Sequence, residues 1–253
     1  MVDVMLCESA KSIADIPKTH TIRELKIDGI RALFIKGKLV GRYGTDITDD
    51  FKEIKIDFNG ILDGEIVIFA DDNKLLTDFN ALQNHKNNNR QAVYVAFDVL
   101  EYNSVNLTAK PLIERRRLLH QIANPNCKNF MTILDLKEVN WKEVKAKNLE
   151  GLIFKNPNSV YEFRRSKEWI KVKNFKEVTL PITSFEITEG EKGNSGFTIL
   201  TEGEHRVGVA NPKIREQIKE LFLKKPLKAV VQYLERTKDN RMRMPTFKEL
   251  VIG

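Results

Sequence analysis

The stretch Glu24-Leu25-Lys26-Ile27-Asp28-Gly29-Ile30-Arg31 alternates charged and apolar side chains as far as Asp28, the period of a strand with one face in a core. That alternation puts Lys26 and Asp28 on one face and turns Ile27 inward, while Gly29 permits a sharp departure of the chain. A lysine so placed looks out of a cleft, although an ordinary exposed strand lysine beside a turn fits the octapeptide equally well. Short apolar runs of the same period continue to residue 69, broken by Asp28-Gly29, Gly37-Lys38 and Asn59-Gly60, pairs that suit tight turns. Residues 75–82 read as a short helix, 84–90 (NHKNNNR) as an exposed loop, and 92–100 as a strand buried on both faces. Pro111 opens a helix over 112–122, a second helical stretch covers 141–147, and 151–154 and 169–172 are strands. From Phe175 onward come several strand-like runs, one helix over 212–223 and a strand over 229–234, an order that suits a small β-barrel carrying one helix.

The composition allows this and narrows the function. A chain of 253 residues, 42% hydrophobic and 30% charged, can bury a sizeable core and has room for two modest domains. Its net charge of +7, positive in both halves, suits a polyanionic partner such as nucleic acid. Cys7 and Cys127 form no CxxC pair and the four histidines have no ligand spacing, so no zinc site is expected and the thiols read as buried or inert. No run of about 18 apolar residues and no basic segment leading an apolar one occurs, which points to a cytoplasmic protein with no membrane partner.

Further segments repeat the design of an apolar strand bearing charge on one side, in a fixed order. Arg42-Tyr43-Gly44 follows the second strand, and Asp63-Gly64-Glu65 leads into Ile66-Val67-Ile68-Phe69. Ala96-Phe97-Asp98-Val99-Leu100 closes the buried strand; Glu150-Gly151-Leu152-Ile153-Phe154-Lys155 and Trp169-Ile170-Lys171-Val172-Lys173 follow. In the last, alternation puts Lys171 and Lys173 on one face. Together these segments resemble the motif set of the covalent nucleotidyltransferases, the superfamily of DNA ligases, RNA ligases and mRNA capping enzymes. The runs 97–118, 161–173 and 233–247 resemble the ligase domain of bacterial and archaeal end-joining DNA ligases, extending the likeness to nearly the whole chain.

The resemblance implies an α+β fold: an adenylyltransferase domain over 1–174 of two packed antiparallel sheets with helices, then an OB-fold barrel over 175–253. It implies an ATP-dependent DNA ligase that works with Mg²⁺ (or Mn²⁺), as a monomer, on nicked duplex DNA in repair, end joining or replication. Lys26 is the expected nucleophile, and its amine must be neutral to attack although a free lysine has a pKa near 10.4. Lys171, Lys173 and the metal are the cations expected to lower it. By position, Phe97 stacks on adenine, Glu24 and Arg31 belong to the nucleotide site, and Glu65 and Glu150 hold the nucleotide or the metal. Lys171 and Lys173 meet the α-phosphate, and Arg31, Arg42, Arg164 and Arg165 meet DNA. Asp28 and Asp63 read as turn residues accepting backbone hydrogen bonds, and Arg115-Arg116-Arg117 as a solvated face or a DNA contact.

One departure stands out. Where the family's closing motif puts an arginine and an Asp-Lys pair, the chain reads Pro245-Thr246-Phe247-Lys248-Glu249-Leu250-Val251-Ile252-Gly253, with Val251 at the arginine position. This predicts weakened self-adenylylation, with Lys248 or Arg243 as stand-ins. An RNA ligase of the same superfamily and a non-catalytic nick-binding protein remain the competing readings.

Overall fold

The computed structural model describes residues 3–72, 74–87, 89–122, 127–133, 140–189, 195–237 and 239–253. The chain divides into two units, Met1–Asn174 and Phe175–Gly253.

In the first unit the order is β1 (Leu6–Ser9), β2 (Ile22–Leu25), β3 (Ile30–Ile35), β4 (Lys38–Gly41), β5 (Gly60–Val67), α1 (Phe79–Gln83) and β6 (Val93–Tyr102). There follow β7 (Val105–Asn106), α2 (Leu112–Ile122), β8 (Phe130–Thr132), α3 (Trp141–Ala146), β9 (Gly151–Lys155) and β10 (Arg165–Lys173). One sheet runs β1-β10-β9-β2, the other β4-β3-β5-β6-β7 with β8 beside β6. The sheets are not purely antiparallel as expected, because β1 runs parallel to β10 and β8 to β6.

Leu25 and Leu152 of the first sheet and Val67, Val95 and Phe97 of the second fill one apolar core. The far face of the second sheet packs Leu62, Ile66 and Tyr94 against Leu82 of α1 and Leu119 of α2. Stacked layers explain why β6 carries an almost unbroken apolar run: it is covered on both faces. The helix expected over 75–82 is shorter, Phe79–Gln83, because Asp78 caps it by accepting from Ala81 N.

The second unit holds β11 (Lys176–Glu189), β12 (Ser195–Thr201), β13 (His205–Gly208), α4 (Pro212–Leu221), β14 (Leu227–Tyr233), β15 (Glu235–Arg236), β16 (Met242–Arg243) and β17 (Thr246–Ile252). Its main sheet is ordered β13-β12-β11-β14-β17, every pairing antiparallel, with the long β11 shared by β12 and β14. Asn211 caps α4, Pro212 sits in its first turn, and Ile218 fixes the helix on a core with Phe197, Ile199, Val207 and Val231.

Two arginines of the α2 run, Arg115 and Arg116, are buried, while Arg117 is exposed. Arg115, 1% exposed, donates from Nε and Nη2 to both oxygens of Asp98 at 2.8 Å, and from Nη1 to the carbonyls of Lys110 and Ser159. Arg116 reaches Glu24. Neither is a solvated face or a DNA contact; each neutralises a buried carboxylate that would otherwise be costly to desolvate. Arg115→Ala is therefore expected to lower unfolding free energy by about 3–5 kcal/mol, leaving Asp98 buried without its partner. Urea denaturation checks this, and unchanged stability would place Arg115 at the surface.

Candidate active site

Three strand ends meet at Lys26. Strand β2 stops at Leu25, so Lys26 and Asp28 do not share a strand face as expected; Lys26 still bonds from its amide to Gly151 O at 3.0 Å. Because β9 lies between β2 and β10, antiparallel to both, the start of β9 is flanked by the ends of its neighbours. Glu150, just before β9, receives Lys26 Nζ on Oε1 at 2.7 Å, with Lys173 Nζ 3.8 Å from the same oxygen. Gly151 is required there: its φ is +151°, and a Cβ would lie 2.1 Å from Val172 O.

Gly29 sits at a bend of the chain, as expected, and its lack of a side chain also relieves crowding. A Cβ at that position would lie 2.2 Å from Ile66 O and 2.8 Å from Glu65 Cγ, so its absence lets the Lys26 segment lie against β5. Glu65 sits opposite Arg31 in the β3–β5 register.

Beside Lys26 opens a cleft of about 230 Å³, walled by Glu24, Arg31, Arg42, Glu65, Phe97, Lys155, Arg165, Trp169 and Lys171. A larger hollow of about 640 Å³, around Phe51 and Ile56, lacks such convergence of charge. Within the cleft the Arg31 guanidinium lies 4.5 Å from the Phe97 ring centroid, and Lys155 Nζ lies 4.8 Å from the same ring and 3.9 Å from that of Trp169. Glu24 is buried at the floor, its Oε2 2.7 Å from Lys155 Nζ and its Oε1 bonded to Arg116.

Among the protein's own groups, Glu150 dominates the electrostatics of Lys26. Burial alone would depress Lys26, but the charge and hydrogen bond of Glu150, helped by Glu65 and Asp28, outweigh it and raise its pKa. The lowered lysines are the flanking ones: Lys171 and Lys173 are pushed down by burial and by repulsion from Lys26. Burial lifts the Glu65 carboxyl to about 7, despite Arg31 and Lys26 nearby. Glu150 Oε2 is buried without a hydrogen-bond partner, a hard oxygen left open. Among the described residues no group of three or more His, Cys, Asp or Glu forms a metal cage. Two carboxylates and an open oxygen nevertheless fit Mg²⁺, which takes few protein ligands and completes its shell with water and phosphate.

Residues 4–173 match the family described as ATP dependent DNA ligase domain. The chain belongs to this family. It is 29% identical over 252 residues to the SPbeta prophage-derived DNA ligase-like protein LigB of Bacillus subtilis (strain 168), covering 90% of this chain and 91% of that protein. A DNA ligase of Methanothrix thermoacetophila is 29% identical over 218 residues, 76% of this chain but only 40% of that longer protein. Among solved structures, a minimal-scaffold Lig E DNA ligase shares the fold, with TM-score 0.69 at 18% identity over 99% of this chain and 100% of the other.

In the ligase domain the expected site residues separate into groups. Lys26, Glu150 and Lys173 come together at the strand ends, and Glu24, Arg31, Arg42, Glu65, Phe97, Arg165 and Lys171 share the cleft. Arg164 does not line it; it is exposed and paired with Glu162. Asp63 is no turn residue: it lies within β5, fully buried, and accepts from Arg31 at 2.6 and 2.5 Å and from Tyr161 Oη at 2.6 Å. Lys155, Trp169 and Cys7 line the cleft and were not expected there. Lys155 was legible in principle, since alternation from Ile153 through Lys155 keeps one face of β9 toward the cleft. Cys7 is half-buried in the cleft wall, where burial raises its thiol pKa.

No helix among the described residues is long and apolar enough to cross a membrane. In the second unit, both proposed stand-ins for the missing arginine are engaged, Lys248 with Glu177 and Arg243 with Glu235 at 2.8 Å.

Because the folded pKa of Glu65 exceeds its ordinary 4.5, the native state binds more protons than the unfolded one between about 4.5 and about 7. Its contribution to stability accordingly falls as pH rises through that window. Glu65→Gln removes this slope: unfolding free energies of variant and wild type, measured from pH 4.5 to 7.5, should diverge in favour of the variant as pH rises. A constant difference would contradict the assignment.

Proposed function

We propose that the chain seals nicks in duplex DNA in an ATP-dependent reaction, with Lys26 carrying the adenylyl group. The observation that supports this most is the Lys26 amine at the side of an aromatic and cationic cleft, 2.7 Å from Glu150 and flanked by Lys171 and Lys173. Phe97 offers its face to adenine, with Glu24 and Lys155 at the floor beside it, while Glu65 and Arg31 face the sugar. The amine attacks only after losing its proton, and Glu150 Oε1 is the acceptor in reach. The Nζ–Pα bond then forms as the bond to pyrophosphate breaks, and Lys171 and Lys173 stabilise the charge gathering on the α-phosphoryl oxygens. A divalent cation held by Glu65 and Glu150 would supply further charge at the phosphates, favouring the neutral amine.

The second half-reaction passes AMP to the 5′-phosphate of a nick, and the 3′-hydroxyl then displaces AMP. Arg42 and Arg165 at the cleft, and Arg164 outside it, are the groups for DNA phosphates. In the second unit, a five-stranded order with β11 shared between β12 and β14, β13 in contact with β17, and α4 between β13 and β14 supports an OB-type barrel. Such barrels commonly present a nucleic-acid surface. Repair, including end joining, is the setting this reading favours.

Nick sealing with 5′-labelled duplex, ATP and Mg²⁺ tests the proposal. Wild type is expected to seal. Lys26→Ala should fail with ATP yet still close a pre-adenylated nick, since Lys26 serves only the steps before AMP reaches DNA. Lys171→Ala should slow sealing by about 10²–10³-fold, the usual loss for one transition-state charge contact. Wild type closing neither nick, or sealing only nicked RNA, would overturn the reading.

A further inference from the structure

Tyr161 belongs to none of the charged strand segments that marked the site, yet it touches the site's framework at several points. It is 4% exposed, in the loop before β10. Its hydroxyl donates to Asp63 Oδ2 at 2.6 Å and accepts the amide of Met5 at 3.0 Å. Asp63 holds Arg31 through Nε and Nη2, and Arg31 Nη2 returns to Met5 O at 3.3 Å. The polar ring Met5–Tyr161–Asp63–Arg31 thus closes on itself. Met5 adjoins β1 and Tyr161 precedes β10, both of one sheet; Asp63 and Arg31 lie on β5 and β3 of the other. The ring therefore ties the two sheets together beside the cleft.

A second chain of contacts leaves the same side chain. The Tyr161 ring meets Trp169 edge-on at 5.9 Å, Trp169 meets Phe97 edge-on at 6.1 Å, and Phe97 carries the Arg31 guanidinium at 4.5 Å. Trp169, Phe97 and Arg31 all line the cleft, whereas Tyr161 does not. Three nitrogens of Arg31 are thereby sorted: Nε and Nη2 are spent on Asp63 and Met5, and Nη1 makes no hydrogen bond among the described residues. A guanidinium is useful to a ligand only if its remaining edge is held in a fixed direction.

We propose that Tyr161 is a positioning residue for the nucleotide: through Asp63 and Trp169 it sets the Arg31 edge and the Phe97 face against which the nucleotide binds. This rests on the cleft being the ATP site. A positioning role predicts a loss in nucleotide binding with little loss in the chemical step, because Lys26, Glu150, Lys171 and Lys173 lie outside the ring. A merely structural role predicts lower stability with unchanged kinetics in the folded fraction.

The test is single-turnover self-adenylylation with α-labelled ATP across ATP concentrations, on wild type, Tyr161→Phe, Asp63→Asn and the double variant, with thermal melts alongside. Tyr161→Phe keeps the ring contacts with Trp169 and removes only the hydroxyl. It is expected to raise half-saturating ATP about tenfold, the loss for one hydrogen bond to a charged group, while the limiting rate stays within about twofold. In the Asp63→Asn background the same change should add less than about threefold, because both act through one ring. Unchanged half-saturation in Tyr161→Phe, or effects that multiply in the double variant, would overturn the proposal. Should Asp63→Asn fail to fold, Arg31→Lys takes its place in the cycle. Calorimetric ATP binding by the same proteins keeps the two readings apart: weaker binding by Tyr161→Phe supports the positioning role even if no label is transferred, and equal binding refutes it. Wild type that neither binds nor labels would instead remove both this proposal and the ATP site on which it rests.

Discussion

The contact on which the site turns is the ion pair between Lys26 and Glu150. It exists because β9 lies between β2 and β10, antiparallel to both, so the residue entering it is met from both sides by residues leaving its neighbours. The same carboxylate thus fixes the amine in space and sets its charge. At 2.7 Å, with little water between, Glu150 more than offsets the effect of burial, and Lys26 stands as an ammonium. In the proposed reaction the amine therefore needs a change at Glu150, whether by proton transfer or by cations drawing its charge. The flanking lysines are depressed by burial and by Lys26.

Around that contact the first unit is held by carboxylates that never see solvent. Asp98 is answered by Arg115, Asp63 by Arg31 and Tyr161, and Glu24 by Arg116 and Lys155. Buried pairs of this kind contribute little net stability compared with an apolar core, but removing one member is costly. Their effect is to fix which residues face the cleft. Arg116, from α2, holds Glu24 at its floor, so a helix far along the chain takes part in shaping a pocket formed chiefly by strands.

Much of this was legible in the sequence, and what escaped it did so for identifiable reasons. Strand periodicity located β3, β5, β6, β9 and β10, and the order of charged segments brought Lys26, Glu150, Lys171 and Lys173 to one place. Alternation could not show that β2 ends at Leu25, because the end is set by the approach of Gly29 to β5, a tertiary contact. Nor could it show that Arg115 and Arg116 turn inward: arginines in a run on a helix look solvated, as Arg117 is, until the carboxylate partners of these two, 17 and 92 residues away, are seen. Asp63-Gly64 looked like a turn from its composition, yet both residues lie in mid-strand, where Gly64 makes room for Tyr94. The order of motifs brought the flanking lysines to Lys26 but could not show how closely Glu150 pairs with it.

The central claim is that Lys26 forms a covalent bond to AMP. Its most direct measurement is peptide mapping by mass spectrometry after incubation of the intact chain with ATP and Mg²⁺ and quenching under conditions that preserve phosphoramidates. The expected result is the mass of one adenylyl group on the peptide containing Lys26, with fragment ions placing it on the lysine. Adenylate carried on any other residue, with Lys26 unmodified, would contradict it.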